Sequence, residues 1–336
     1  MGLSGSLFLA ATACLVVTAW VGFTLAEFGM DQPRLVLLLG TIALVGSCCL
    51  VFRSVRGRIQ FSTLAGLSLP LAIAMFLYSP PDEWIFGGLD PGSYVNAGAA
   101  IAKSGRIVQV SPTLASLSPS VRSALFPTPA SRLPGMYLMF LRSDGIQSPH
   151  FTASADQVVP HGFHLFPTTL AFGYAVAGVR SELLVNPILA LLGLVGFYLL
   201  IRRLFGTSVA FLATLLFAVN PAEVWFASYP DAEIFAQFLL FSGLLAFVIM
   251  LDTSNRWLAL LAGFLLAAVH LDKIELALLP FVILLYFGYR SLTGKFDPTW
   301  YWFLGSYAVI LLQAVLHAAL IATWYTVRTL QAILSA

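Results

Sequence analysis

Asp82, Glu83 and Asp90 stand close together in a chain of which only 10% is charged. An ionised carboxylate can take a proton from a hydroxyl, and neighbouring acids can raise its basicity. A second acidic group lies in "NPAEVWFASYPDAEIF" (220–235), which holds Glu223, Asp231 and Glu233. A third lies in "HLDKIE" (270–275), with Asp272 beside Lys273. Lys273, Lys103 and Arg106 are the cations available near these acids to hold an anion. His161 and His164, in "HGFHLFP", have no third ligand at metal spacing, so they suit a hydrogen bond to substrate or interfacial packing. Simpler roles exist for the same residues. Acids at helix starts cap and complement the helix dipole. Aromatic rings such as Trp225, Phe226 and Tyr229 form belts at membrane boundaries. Asp272 and Lys273 are able to pair at a surface for about 0–1 kcal/mol.

The elements that must position these groups are apolar. The chain has 336 residues, 59% of them hydrophobic, and a mean hydropathy of +0.91. A soluble domain is only about 45–50% apolar and roughly a quarter charged. Lipid is therefore the solvent for most of the chain, which leaves helices or a closed barrel. The apolar runs are continuous and long, not alternating, so helices are expected. The runs fall near 5–26, 35–52, 60–78, 183–201, 207–221, 232–251, 257–271, 275–290 and 299–325. A further run at 165–179 is short for a crossing and suits the interface.

The expected fold is all-α: a polytopic transmembrane bundle of about nine spans, with interfacial juxtamembrane helices in a long first extracytoplasmic loop, 79–164. Lys and Arg mark the cytoplasmic side. With the N-terminus inside and 165–179 not spanning, Arg53, Arg56, Arg58, Arg202, Arg203, Arg256, Arg290 and Lys295 all fall inside. Short outer loops keep only Arg34, Lys273 and Arg328. Both main acidic groups then lie outside, at similar depth. The chain divides into two N-terminal helices (1–58), a core (59–290) and a C-terminal transmembrane helix (291–336). The first helix lacks a basic n-region and reads as retained.

Several classes are excluded or disfavoured. The net charge of +2 carries no basic run for nucleic acid. Cys14, Cys48 and Cys49 lie in apolar runs and read as small core residues. The sequence has no phosphate loop, dinucleotide fingerprint or nucleophile elbow, so no cofactor is expected and an ATP-driven machine is disfavoured. The stretch "SPTLASLSPSVRSALFPTPASRLPG" (111–135) is rich in Ser and Pro and is expected to be irregular or only partly ordered. The run "GSYVNAGAAIAKSG" reads as a short helix capped by Asp90 and begun by Pro91. Tyr94, Ala97 and Ile101 share one face, Lys103 sits in the last turn, and Gly105 closes it.

Four segments together resemble the GT-C class of polytopic glycosyltransferases, which includes protein mannosyltransferases and aminoarabinose transferases. They are "LDPGSYVNAGAAIAKSG" (89–105), "HLFPTTLAFGYAVAG" (164–178), "LLGLVGFYLLIRRLFG" (191–206) and "NPAEVWFASYPDAEIFAQFLLFSGLLA" (220–246). The resemblance covers roughly residues 60–290. It implies sugar transfer from a polyprenyl-phosphate donor to a glycan, lipid or protein acceptor at the outer face of the plasma membrane. It also implies an outer-loop Asp as catalytic residue: Asp90 first, with Asp82 or Glu83 as the alternatives. Glu233 or Asp231 would be the second-loop acid. Lys273, Arg106 and Lys103 are the candidates for the donor phosphate. Tyr94, Asp272, His161 and His164 complete the expected substrate contacts. Direct attack implies inversion at the sugar carbon, with a hexose or pentose transferred. Ser228 stands where the family often has a base, and members usually run on through more spans. A shortened member, a fragment or one half of a two-chain system is thus expected, which leaves room for a second subunit. Other readings are a lipid-sugar or polysaccharide transporter, or a non-catalytic subunit. A transporter places polar groups at mid-membrane, whereas here they gather at one rim.

Overall fold

The computed structural model describes residues 2–54, 61–83, 85, 90–125, 139–143, 153–294 and 297–335. Arg56, Arg58 and Lys295, used above for orientation, lie outside the described residues, as does the 126–135 part of the Ser/Pro-rich stretch. The described chain is overwhelmingly helical. Helices α1 (Leu3–Glu27), α2 (Pro33–Ser54) and α3 (Phe61–Leu77) open it. The long loop then holds α4 (Asp90–Ser104), α5 (Pro112–Ser116) and α6 (Pro119–Leu125). Next come α7 (Leu165–Ala177), α8 (Val179–Leu183), α9 (Val185–Phe205), α10 (Thr207–Ala218) and α11 (Pro221–Ser228). The chain closes with α12 (Ala232–Thr253), α13 (Arg256–Ala268), α14 (Leu279–Leu292), α15 (Thr299–Leu320) and α16 (Thr323–Ser335).

Six described helical stretches are long and apolar enough to cross a membrane: those of α1, α2, α8 with α9, α12, the turn before α14 with α14, and α15. Helices α10 and α11 pass the same test only together, bent by 62°. The apolar stretches of α3 and α13 are shorter, so nine crossings remains an expectation. Helix α7 has 13 residues, which at about 1.5 Å each reach some 20 Å of a roughly 30 Å core.

Polar pairs sort the helix ends into two groups. At one end Arg203 Nε donates to Asp252 Oδ2 at 3.1 Å, Arg202 bonds Thr63, and Ser254 bonds Asp297. At the other end are Lys273–Glu233, His317–Glu27 and Asp82–Ser228. Arg202, Arg203, Arg256 and Arg290 belong to the first end. The acids expected to do chemistry belong to the second, and consecutive long helices run alternately between the two.

The expected loop helix is present as α4, which packs on α7. Tyr94, Ala97 and Ile101 are buried on its inner face, and Gly105 (φ 69°) ends it. Gly98 sets the closeness of that packing. A methyl there would overlap Glu182 Oε1 and come within 2.8 Å of Leu170 Cβ. Gly98→Ala is expected to lower stability by about 1–3 kcal/mol, the usual cost of overpacking; a fall in the melting temperature of purified protein checks it.

Two features depart from the sequence reading. The loop contains strands: β1 (Gln109–Val110), β2 (Met139–Ser143) and β3 (Ala153–Pro160) form an antiparallel sheet in the order β1-β3-β2. Strand β1 has only two residues, too few for alternation to show, and β3 supplies its pairing from far along the chain, with Gln109 opposite Val158. The Ser/Pro-rich stretch agrees with the expectation of partial order, since Ser111 caps the short helix α5 through the Leu114 N–H. The last apolar run, taken as reaching 325, breaks after Leu320, and α16 begins a separate helix.

Candidate active site

The first loop delivers its acids in two pieces that are tied down separately. Asp82 is fastened to the end of α11: its N–H donates to Ser228 O at 3.0 Å, and the Ser228 hydroxyl donates to its Oδ2 at 3.2 Å. Glu83 follows on the same segment, exposed. Asn96 then holds the segment to α4, since its Nδ2 donates to Ile85 O and to Gly92 O, each at 2.7 Å. Asp90 begins α4 with its side chain 54% exposed and Oδ1 3.9 Å from His161 Nε2.

Tyr94 lies one turn further along α4. It is buried and packs edge-on against Phe166 at 5.6 Å. Burial raises its hydroxyl well above the usual value, and the charges of Asp231, Asp90 and Asp272 add to the effect. These carboxylates come from three different segments, so Tyr94 marks where the loops converge. The turn carrying His161 reaches it through Gly162. A Cβ at Gly162 would stand 3.0 Å from the Tyr94 ring, and its φ of +91° disfavours any side chain.

The second group gathers at the starts of α12 and of the turn before α14. Asp231 caps α12, accepting from the Ala232 N–H at 2.8 Å. Burial, reinforced by the Glu233 charge, pushes its pKa up to about 8. Lys273 Nζ donates to Glu233 Oε1 at 2.6 Å. Burial opposes the Lys273 ammonium, but the Glu233 charge and hydrogen bond outweigh it and raise the pKa. Asp272 is 2% exposed, and its carboxyl oxygens have no hydrogen-bond partner among the described residues. Burial holds its pKa well above the usual range, against the pull of Lys273.

Asp231 yields a pH prediction. Between about 4 and 8 the folded chain holds a proton here that the unfolded chain has released. The stability this acid contributes is complete below its usual pKa of 3.8 and is lost as pH rises through about 8. Asp231→Asn keeps a capping side chain and removes the titration. Its melting temperature is expected to vary less than the native protein's between pH 5 and 9.

A cleft of about 610 Å³ opens beside this group, lined by Glu223, Glu233, Gln237, Lys273 and Glu275 above an apolar wall that includes Phe217 and Phe241. Gln237 Nε2 donates to Glu223 Oε1 at 3.0 Å. Asp90 does not line it.

Three expected residues stand elsewhere. His164 is fully buried at the start of α7, bonded to His317 and to Pro160 O. Arg106 lines a different cleft, with Glu27 and His317. Lys103 rests over the Tyr174 ring at 5.3 Å. Tyr325 of α16 was not foreseen: its ring meets His161 at 4.8 Å and Phe163 at 5.4 Å. Asn96 was also missed, and only its i+4 spacing from Gly92 hinted at a role. Among the described residues no three His, Cys, Asp or Glu side chains are grouped to hold a metal ion.

Comparison with known proteins bears on this acid-rich end. Residues 164–318 match the family of dolichyl-phosphate-mannose-protein mannosyltransferases. The match spans a little under half of the chain, from the start of α7 to the end of α15, and takes in Asp231, Glu233, Asp272 and Lys273. Asp82, Glu83 and Asp90 precede it. No curated protein and no solved structure matches the chain. Similarity to the mannosyltransferase family, with the apolar helices, supports an integral membrane glycosyltransferase of the GT-C type.

Proposed function

We propose that the protein transfers a sugar from a polyprenyl-phosphate donor to a glycan, lipid or protein acceptor, at the end of the bundle where the acids converge. The observation that carries this reading is that Asp90, Asp231 and Asp272, from three segments, all act electrostatically on the buried Tyr94 hydroxyl, with the Lys273 ammonium bonded to Glu233 beside Asp231 and Asp272. Arginines at the opposite end favour placing the acid-rich end outside the cytoplasm. Nucleotide sugars are cytoplasmic, so an outer site needs a donor that the bilayer itself carries.

In this reading the donor's chain lies along the apolar wall of the Glu233 cleft and its phosphate meets Lys273. Asp90 takes the proton from the acceptor hydroxyl as that oxygen bonds the anomeric carbon. The bond from the anomeric carbon to the phosphate oxygen breaks, and the electron pair leaves on the polyprenyl phosphate, where the Lys273 ammonium stabilises it. A single displacement inverts the sugar carbon. His161, 3.9 Å from Asp90, is placed to orient the carboxylate. The test is turnover by purified protein of a radiolabelled polyprenyl-phosphate sugar with a mixture of envelope acceptors. Labelled acceptor supports the reading, whereas donor bound at the Arg203–Asp252 end would overturn it.

A further inference from the structure

A second cleft, of about 700 Å³, opens between the end of α1, the start of the sheet and the last turns of α15. Its floor is polar and tightly arranged. Trp20 Nε1 donates to Gln313 Oε1 at 2.7 Å, which fixes the amide so that its Nε2 donates to Thr24 Oγ1 at 3.1 Å and Glu27 Oε2 at 2.9 Å. Glu27 Oε1 meets His317 Nδ1 at 2.7 Å. His317 Nε2 meets His164 Nδ1 at 2.9 Å, and His164 Nε2 meets Pro160 O at 3.1 Å.

The proton positions follow from what each atom can do. A carbonyl only accepts, so His164 carries its proton on Nε2. Burial, then the neighbouring His317, hold His164 neutral, so its Nδ1 accepts from His317 Nε2–H. Glu27 and His317 are thus partnered with each other within the floor of the cleft. Arg106, exposed at the rim beside Gly29, has no carboxylate within 4 Å among the described residues. The nearby Asp31 is buried and does not line the cleft. Arg106 is thus the cation of the described lining that no carboxylate neutralises. Below it Val309, Leu312, Leu316 and Leu320 of α15 present an exposed aliphatic strip.

One positive charge at the rim, hydrogen-bonding groups on the floor and an aliphatic strip leading away match a monoanionic phosphodiester lipid. We propose that this cleft binds an anionic membrane phospholipid, with its phosphodiester on Arg106, the hydroxyls of its head on Glu27 and Gln313, and an acyl chain along α15. The proposal is independent of sugar transfer, because Asp90 and Lys273 do not line this cleft.

Native mass spectrometry of the purified full chain, with phosphatidylglycerol or phosphatidylcholine added in detergent, tests it. The native protein should retain phosphatidylglycerol in preference to phosphatidylcholine. Arg106→Gln should weaken that retention about tenfold, the size of one lost charge-assisted hydrogen bond. Leu316→Trp, an exposed change on the acyl strip, should weaken it as well. Equal retention of the two lipids, or undiminished retention by Arg106→Gln, would overturn the proposal. Thermal protection by inorganic phosphate equal to that by phosphatidylglycerol would remove the lipid from it.

Discussion

Asp90→Asn leaves the bundle folded and lowers sugar transfer by about 10²- to 10⁴-fold, the usual contribution of a general base. The fold should tolerate the change because the Asp90 side chain is half exposed and asparagine suits a helix start as well as aspartate does. What is lost is the basic carboxylate that takes the acceptor proton, because an amide oxygen accepts a hydrogen bond but does not hold the proton. The loss belongs in kcat, with donor affinity nearly unchanged, since Asp90 does not line the Glu233 cleft. Asp82→Asn supplies the contrast. Asp82 is already occupied by Ser228, and asparagine keeps an oxygen for that hydroxyl, so the change is expected to cost transfer far less. Turnover measured on both variants at equal melting temperature checks the pair. Full activity in Asp90→Asn would move the base to another acid.

Lys273→Met combines a structural loss with a chemical one. Removing the ammonium leaves Asp231, Glu233 and Asp272 facing one another without their cation. Breaking a fully buried pair costs about 3–5 kcal/mol. The Lys273 side chain is 18% exposed and that of Glu233 is 36% exposed, so water recovers part of this, and about 2 kcal/mol is expected. Transfer should fall about 10²- to 10³-fold if Lys273 stabilises the departing phosphate, as for a lost oxyanion donor. The double change Lys273→Met with Glu233→Gln separates the two effects. Stability should return because the orphaned charge is gone, while transfer stays low. A double variant that regained transfer would make Lys273 a structural partner of Glu233 and nothing more.

The contrast between the two clusters shows what was legible beforehand. Asp231, Glu233, Asp272 and Lys273 each sit at the boundary of an apolar run, and boundary acids can be read directly. That all of them face the same end follows from counting helices and placing arginines. The partners of His164 and Arg106 were not readable in that way. Both lie within a few residues of the long-loop motifs, which invited grouping them with Asp90. Yet His164 turns toward His317 and Glu27, 153 and 137 positions away, and Arg106 stands with them. Tyr325 reaches His161 only because α15 ends at Leu320 and the chain continues as α16.

The sequence by itself determined a membrane-embedded helical bundle, the loop helix at Asp90–Ser104 and the placing of Asp90, Asp231 and Asp272 at the end opposite Arg202 and Arg203, because hydropathy, helix caps and loop charge act locally along the chain. The tertiary structure alone decided which side chains meet: Asp90 with His161, Lys273 with Glu233, and Glu27 with His317 and His164. Those meetings depend on how helices rotate and pack against one another, and close approaches at glycines such as Gly98 and Gly162 set that rotation through contacts that no local pattern encodes.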